Sequence, residues 1–240
     1  MQPENVFAVI LWSKAPQQAE IVDDLARRFA PLASLRVAWT PAHWTSNLAR
    51  LYGDRLPSAA EKAARCGTQP FLLAVVGDPA PAYRYRRTRR GLERVNRNLF
   101  AARERYRRIT RGHDLVHATL DDAESAKDLF LLTGRERESF LAPADGVVTL
   151  GADLVGTSGW DDTRQLVRAL ELTGGCTVTN DDASGLTLSV GDLWWAARIA
   201  FASDEPPDSA RVRIGGDERQ VTLMSTATSP RRRFSLSRRR

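Results

Sequence analysis

The chain has 240 residues, 42% of them apolar, and its 35 Lys and Arg residues against 29 Asp and Glu residues give a formal net charge of +6. This size and composition are typical of a folded protein with one or two hydrophobic cores. Because the sequence contains no run of about eighteen uncharged apolar residues and does not open with a basic segment followed by an apolar one, we expect no membrane span and no export, and we predict a cytoplasmic protein.

The two cysteines do not indicate a metal site or a disulfide. Cys66 and Cys176 are far apart in the sequence, and neither has a partner at metal-ligand spacing. Two cysteines in such a chain are more often small buried hydrophobic residues. We therefore predict no zinc site, and we assign no residue as a metal ligand.

The first eighty residues alternate between strand-like and helix-like patterns. Val6–Trp12 is a continuous apolar run of the kind found in central strands. Apolar residues then recur at helical spacing from Ala15 to Phe29. In chain order, the patterns predict a strand over Val6–Trp12, a helix over Ala15–Phe29, a strand around Leu35–Trp39, a helix that begins at Thr40-Pro41, a short helix over Pro57–Arg65 and a buried strand over Pro70–Gly77.

The segment Tyr83–Arg111 is dense in arginine, with twelve arginines against only Glu93 and Glu104. Six more arginines lie in the tail 231–240, so the positive charge is concentrated in two places and the rest of the chain is acidic. Leu92–Arg108 is predicted to be a helix whose apolar stripe is buried and whose arginines point outward. Because arginine binds phosphate oxygens in a bidentate manner, the segment indicates a nucleotide, a phosphorylated small molecule or a nucleic-acid backbone as ligand.

A histidine follows the arginine segment on a predicted strand, Asp114–Thr119. The next helix is predicted to start at Asp121 or Asp122 and to end at Gly134. His117 is the candidate catalytic residue, because an imidazole at a strand end and close to cations can act on a phosphate as a nucleophile or as an acid–base group. The residues assigned to phosphate binding are Arg94, Arg105, Arg108, Arg111 and Thr119.

These elements predict an α+β protein of two units. Residues 1–135 form a predicted ferredoxin-like domain, in which helices cover a small sheet. A charged linker over 136–145 leads to a smaller, mixed α+β unit over 146–228, and residues 229–240 are predicted to be a flexible basic tail. In the second unit the patterns predict a strand over Val147–Leu150, a helix over Thr163–Leu172, strands over Cys176–Thr179, Leu186–Val190, Arg211–Ile214 and Gln220–Met224, and a hairpin turn over Gly215–Glu218.

The residues around His117 resemble the active-site segment of nucleoside diphosphate kinases. Arg111-Gly-His-Asp-Leu-Val-His117-Ala-Thr, followed by Glu124-Ser-Ala and an acidic, aliphatic helix, is similar to that family's Gly-Arg-Asn-x-x-His-Gly-Ser-Asp-Ser and Glu-Ser-Ala motifs. The resemblance implies a ferredoxin-like fold and phosphorylation of His117 by a nucleoside triphosphate that carries Mg²⁺. Ala118 and Thr119 replace the glycine and serine of the motif, so the resemblance implies a diverged relative that keeps phosphate binding with or without the transfer reaction.

A second resemblance concerns the arginine segment. Gly91-Leu-Glu-Arg-Val-Asn96-Arg-Asn98-Leu-Phe100-Ala-Ala-Arg-Glu-Arg105-Tyr106 is similar to a pattern in uncharacterised bacterial proteins that are associated with surface-polymer assembly. In that group a nucleotidyltransferase-like second half accompanies the segment. Such enzymes hold two metal ions with an Asp-x-Asp pair, whereas Leu186-Thr-Leu-Ser-Val-Gly-Asp192 supplies a single carboxylate. The resemblance therefore implies a degenerate, inactive nucleotidyltransferase-like C-terminal part.

The sequence leaves three functions open. The first is a nucleotide- or phosphate-binding protein that transfers a phosphoryl group through His117 or only binds its ligand. The second is a non-enzymatic RNA- or DNA-binding protein in which the arginine segment and the tail follow a phosphate backbone, with Tyr83, Tyr85, Phe100 and Tyr106 as the stacking candidates of the segment. The third is a regulatory subunit whose acidic and basic surfaces bind another protein. The sequence decides neither the ligand nor the oligomeric state.

Overall fold

The structure is a computed structural model, and it describes residues 5–53, 56, 58–88, 91–112, 114–141, 147–150, 153–202 and 207–226. Within these residues, seven α-helices and eleven β-strands follow one another as β1 (Val6–Leu11), α1 (Gln18–Arg28), β2 (Ala30–Val37), α2 (Trp44–Tyr52), α3 (Ala59–Cys66), β3 (Phe71–Gly77), β4 (Tyr83–Thr88), β5 (Gly91–Asn96), α4 (Arg97–Ile109), β6 (Val116–Ala118), α5 (Asp122–Thr133), β7 (Val147–Leu150), α6 (Thr163–Gly174), β8 (Cys176–Asp182), β9 (Gly185–Val190), α7 (Leu193–Phe201), β10 (Ser209–Ile214) and β11 (Asp217–Ser225). In this part of the chain no helix is long and apolar enough to cross a membrane.

Five strands form the N-terminal sheet, in the order β6-β1-β3-β2-β7. β1 pairs antiparallel with both β3 and β6, and β2 pairs antiparallel with β3. Because α1 connects β1 to β2 and α4 precedes β6, the first four of these strands have the order and directions of a ferredoxin-like βαββαβ unit. The predicted α+β class is confirmed.

The sheet separates two hydrophobic cores, because successive residues of a strand point to opposite faces. On β1, Phe7 and Val9 pack in the core that contains residues of α1 and α4. Ala8 and Ile10 pack in the other core, which contains residues of α2, α5 and the C-terminal unit. α4 therefore covers one face of the sheet, and α5 lies on the other.

The arginine segment opens with a β-hairpin rather than with a helix. β4 and β5 pair antiparallel, and α4 starts only at Arg97. The Asn96 side chain accepts hydrogen bonds from two backbone N–H groups of the first turn and thereby fixes the helix start. The prediction of a helix from Leu92 is wrong for its first residues. The spacing of Leu92 and Val95 matches a helical stripe, although in the hairpin Leu92 is exposed and Val95 is buried.

The border between the two units differs from the prediction. β7 pairs in parallel with β2, so it is the fifth strand of the N-terminal sheet and not the first strand of the second unit, which begins after Leu150. The first part of the predicted linker is docked, because Phe140 is buried and Glu136 accepts two hydrogen bonds from the Arg168 guanidinium, at 2.7 and 3.0 Å. Residues 142–146 and the predicted tail 229–240 lie outside the described residues.

The second unit is a mixed four-stranded sheet that packs against α6 and α7. Its strand order is β10-β11-β9-β8, with β9 parallel to β11 and the other pairs antiparallel. Leu186, Leu188 and Val190 of β9 are buried in the core that the unit shares with the N-terminal sheet. Helix α7 was not predicted, because Leu193–Phe201 is almost wholly apolar and therefore has no helical period.

A buried arginine connects the two units. Arg50 of α2 is fully buried, and its guanidinium donates to the Thr157 hydroxyl at 2.6 Å and to the backbone carbonyls of Val155 and Ile199. Burial lowers the pKa of Arg50 from 12.5 to about 9, so the side chain stays charged at pH 7. These acceptors are uncharged, and the guanidinium is therefore held by oriented dipoles.

Arg50→Met is expected to reduce the free energy of unfolding by about 3 kcal/mol, because three acceptors lose a charged donor inside the protein. Urea unfolding followed by circular dichroism measures this change. Arg36→Met, at an exposed position of β2, is the control and should alter stability by less than about 0.5 kcal/mol. Equal stability of Arg50→Met and the unmutated protein would contradict the structural role of Arg50.

Candidate anion-binding surface and buried histidine cluster

Five arginines lie together on the β4–β5 hairpin and the start of α4, and we call them the arginine surface: Arg84, Arg86, Arg87, Arg94 and Arg97. Because side chains alternate along a strand, Arg84 and Arg86 share one face of the hairpin and Arg87 lies on the other. The inner face points to α4, where Arg86 and Arg84 lie 3.9 and 5.4 Å from the centroid of the Phe100 ring. This ring stabilises both guanidinium groups by cation–π contact.

The charges of the arginine surface repel one another. Burial and, after it, the neighbouring Arg86 and Arg97 lower the pKa of Arg84. Within the described residues, the guanidinium groups of Arg84, Arg86 and Arg97 form no ion pair. By contrast, Arg103 of α4 lies 3.4 Å from Glu104. The Nε–H of Arg84 is buried and donates to no described residue. Glu93 lies opposite Arg86 in the strand pair, so the arginine surface combines five guanidinium groups with one facing carboxylate and keeps a net positive charge.

A polar network fixes the base of the hairpin. Asp78, which follows β3, accepts hydrogen bonds from the side-chain amides of Asn96 and Asn98, at 2.9 and 3.0 Å. The N–H of Arg97 donates to the carbonyl of Ala82 across the base. Asp78 and Asn96 are both buried. Because Asn96 also caps α4, the hairpin and the helix are held in one arrangement. The pattern Asn96-x-Asn98 therefore has a structural role.

The outer face of the hairpin carries aromatic and apolar groups among the arginines. Tyr85 is 67% exposed and Leu92 is 71% exposed. Arg94 lies opposite Tyr85 in the strand pair, and its guanidinium lies 3.8 Å from the centroid of the Tyr83 ring. The sequence did not predict this face, because a helix over Leu92–Arg108 separates these side chains. The available signal was the two-residue period of Tyr-Arg-Tyr-Arg in β4.

The arginines that were predicted to hold one phosphate do not converge. Arg105 of α4 lies 3.5 Å from Asp24 of α1, and Arg108 donates to a carbonyl of its own helix. Arg111 follows the helix as an exposed residue in the left-handed region, at φ 52°. Arg94 belongs to the hairpin. Because these residues sit on different elements and make separate contacts, the prediction of a single arginine cluster is corrected.

His117 lies on the opposite face of the sheet from α4. It pairs with Ile10 of β1, and directly opposed residues of an antiparallel pair share a face. The ring therefore points into the α5 side of the molecule. The predicted phosphate ligand Thr119 is fully buried, and its hydroxyl accepts a hydrogen bond from the N–H of Ala8 at 2.9 Å. The sheet thus separates the imidazole from Arg105 and Arg108 of α4, which corrects the predicted constellation.

Asp128 of α5 holds the His117 ring. Nε2 of His117 lies 2.9 Å from Oδ2 of Asp128, and the centroid of the ring lies 5.2 Å from that of Tyr52. His117 is 8% exposed and Asp128 is 1% exposed. When the carboxylate accepts a hydrogen bond from Nε2–H of the neutral ring, Nδ1 keeps a lone pair. The sequence did not indicate Asp128, whose one signal was a charged pair, Lys127-Asp128, inside an otherwise apolar helical stretch.

Lys127 balances the charge of this cluster. Its Nζ lies 2.7 Å from Oδ1 of Asp128 and donates to the carbonyl of Leu51 at 2.6 Å. Burial by itself raises the pKa of Asp128, but the charge of Lys127 and the hydrogen bond from His117 outweigh burial and lower that pKa below 3.8. The aspartate is therefore ionised and forms a buried ion pair with the lysine.

The same cluster has the spacing of a metal site but not its charge. One ligand atom each of His117, Glu124 and Asp128 lies within 4.8 Å of the others. Glu124 already accepts a backbone N–H, and Lys127 already faces Asp128. Arg103 interacts electrostatically with Glu124. Carboxylates that are balanced by adjacent cations do not fit Mg²⁺, which is bound through carboxylate and water oxygens.

Asp192 of the second unit caps helix α7. Its carboxylate accepts a hydrogen bond from the N–H of Trp195 at 3.0 Å, and the residue is exposed. Asp192 is the single carboxylate at the position where the resemblance to nucleotidyltransferases implies a metal-binding pair. In this structure it stabilises the start of a helix. Trp195 itself donates from Nε1 to the carbonyl of Arg50 and thus contributes to the contact between the units.

No protein-family model, no curated protein and no solved structure shows a significant match to this chain. Its function must therefore be inferred from the geometry of its own residues.

Asp128→Asn is expected to lower the free energy of unfolding by about 3 kcal/mol at pH 7, because it leaves the buried Lys127 without a counter-charge. The pKa of Asp128 is lower in the folded protein than in the unfolded chain, so its contribution is present above pH 3.8 and is lost as the pH falls through the lower, folded value. The difference in stability between the two proteins should therefore shrink in acid.

Urea unfolding at neutral pH and at a series of acidic pH values measures this dependence. Asp217→Asn, at an exposed position of β11, is the control and should follow the unmutated protein at every pH. A stability difference between Asp128→Asn and the unmutated protein that stays constant in acid would show that the ion pair does not stabilise the fold.

Proposed function

We propose that this protein binds the phosphate backbone of a nucleic acid through the arginine surface. The supporting observation is the close approach of Arg84, Arg86 and Arg97, none of which has an ion-pair partner among the described residues. Like charges at short range raise the energy of the free protein, and phosphate groups among them remove that repulsion. The arginine fork is also the side chain best suited to phosphate oxygens.

The distribution of the arginines favours a long polyanion over a single phosphate group. Arg84 and Arg86 lie on the inner face of the hairpin, against Phe100, whereas Arg87 and Arg94 lie on the outer face. A mononucleotide cannot contact both faces at once. A chain of phosphates can follow the ribbon and meet each arginine in turn.

The fixed base of the hairpin supports the same function. Asp78, Asn96 and Asn98 hold the two strands against the start of α4 before a ligand arrives. An arrangement that exists in the free protein loses less conformational entropy on binding than a mobile loop does. The hydrogen bonds at the base therefore contribute to affinity without touching the ligand.

Phosphoryl transfer through His117 is a second candidate, and the bond between Nε2 and Asp128 favours it. That bond orients the ring and leaves Nδ1 as the nitrogen that can act as a nucleophile. In the reaction, the bond between the γ-phosphorus and the bridging oxygen of a nucleoside triphosphate breaks, a bond from phosphorus to Nδ1 forms, and the nucleoside diphosphate leaves. Arg105 and Arg108 of α4 make their contacts elsewhere, so other groups must hold the triphosphate.

Replacing Arg87, Arg94 and Arg97 together by glutamine is expected to weaken nucleic-acid binding and to flatten its salt dependence. Each phosphate contact contributes a slope of about −0.9 to log K against log salt for duplex DNA and about −0.7 for a single strand. The triple variant should lose about one unit of slope for each arginine that contacts a phosphate. Fluorescence anisotropy with a labelled oligonucleotide at several salt concentrations measures affinity and slope.

The matched control replaces Arg36, Arg211 and Arg213, which are exposed on other strands, and removes the same charge. The basic tail 231–240 is present in both triple variants, so its contribution is the same. An equal loss of affinity in both variants would mean that net charge alone drives binding. Absence of binding by the unmutated protein at low salt would overturn the proposal.

Incubation with a γ-labelled nucleoside triphosphate and Mg²⁺ tests the second candidate. If His117 accepts the phosphoryl group, the protein acquires an acid-labile, base-stable label that His117→Gln abolishes. His43→Gln is the matched control, since Nδ1 of His43 lies 3.0 Å from a carboxylate oxygen of Asp153. An unlabelled protein, or a label that persists in His117→Gln, excludes transfer through His117 and leaves the nucleic-acid proposal unaffected.

A further inference from the structure

The outer face of the hairpin contains an aromatic ring that nothing in the described structure covers. Tyr85 is 67% exposed, more than any other described aromatic side chain, and no ring or cation of the residues that the structure describes packs on it. Trp194, the next most exposed at 47%, is covered by the guanidinium of Arg198, 4.0 Å from its ring centroid. A bare aromatic ring in the middle of a cationic surface offers an apolar contact that phosphate groups do not use.

The neighbours of Tyr85 leave its ring free. Arg94 is its direct partner across the strand pair, yet the Arg94 guanidinium lies over Tyr83, at 3.8 Å. Arg87 lies two residues further along β4 on the same outer face, opposite the exposed Leu92. The ring is thus flanked by two guanidinium groups and by one apolar side chain. A flat apolar group can lie on it while adjacent phosphates meet the arginines.

We infer that the nucleic acid bound by this protein is single-stranded and that Tyr85 stacks on one of its bases. This inference rests on the proposed function. In a duplex the faces of the bases are stacked on one another and only their edges are accessible in the grooves. In a single strand the faces are open, and exposed aromatic rings between cationic groups are the usual means of binding them.

The stacking contact is independent of base identity, because every base has a π-face. Among the described residues of the outer face, Tyr83 and Tyr85 provide two rings, Arg87 and Arg94 provide two cations, and Leu92 provides one apolar contact. Ring stacking and apolar contact do not read the donors and acceptors of base edges, and the Arg94 guanidinium lies over the Tyr83 ring. The surface therefore selects unpaired strands over duplexes without selecting a sequence.

The test compares a fluorescently labelled single strand with the duplex formed from the same strand, for the unmutated full-length protein and its variants. Tyr85→Ala should weaken binding of the single strand by about 5- to 150-fold, the effect of losing one base–aromatic stack. Tyr85→Phe should bind as the unmutated protein does, because it keeps the ring. The salt slope should be the same for Tyr85→Ala and the unmutated protein, because the phosphate contacts remain.

Leu92→Ala is the matched control, since it removes an equally exposed apolar side chain from the same face without removing a π-face. It should change the affinity for the single strand far less than Tyr85→Ala does. Because both positions are exposed, neither variant should alter the unfolding midpoint, which circular dichroism checks.

The outcomes separate this inference from the function on which it rests. If the unmutated protein binds the single strand more tightly than the duplex, and Tyr85→Ala loses this preference, the result supports both the nucleic-acid function and the single-strand inference. Equal or tighter binding of the duplex, with Tyr85→Ala unchanged, overturns the single-strand inference while backbone binding by the arginine surface stands. A protein that binds neither form overturns both.

Discussion

The alternation of side chains across the central sheet decides which residues of this protein can meet. In the β1–β6 pair Ile10 opposes His117, and this register places the imidazole on the face that α5 covers. A shift by one residue would turn the ring to the side of α4. The register is fixed because Val116 and Ala118 are buried in the opposite core. The imidazole therefore lies apart from Arg105 and Arg108, which precede it in the sequence and make their contacts elsewhere.

Two cations inside the protein, Arg50 and Lys127, donate to the ends of helices. Arg50 donates to Ile199 in the last turn of α7, and Lys127 donates to Leu51 in the last turn of α2. The carbonyls of a helix C-terminus carry partial negative charge, so a cation is stabilised there. These contacts connect α2 with the second unit and with α5. The arginine surface differs from them, because its cations lie near one another and form no ion pair within the described residues.

Local patterns predicted the elements whose signal lies within the element itself. The apolar runs that became β1 and β3 are strands of a sheet covered on both faces. The pairing of β7 with β2 was not predictable, because nothing in Val147–Leu150 specifies a partner so distant in the sequence. For the arginine surface, the composition of Tyr83–Arg111 predicted a local concentration of cations. It could not predict which cations share a face, since that depends on where the hairpin ends and Asn96 starts α4.

The acidic remainder of the chain does not neutralise the arginine surface, because ion pairing requires contact and not overall balance. Asp24 and Glu104 pair with Arg105 and Arg107 on α4. The inner arginines of the hairpin have the ring of Phe100 instead, which stabilises a cation but leaves its charge in place. At physiological salt, repulsion between exposed charges acts over about 8 Å, so it is confined to groups that the hairpin brings together. Each phosphate of a chain that follows the ribbon meets another uncompensated guanidinium. Affinity should therefore grow with the length of the polyanion until the ribbon is covered, which a mononucleotide cannot achieve.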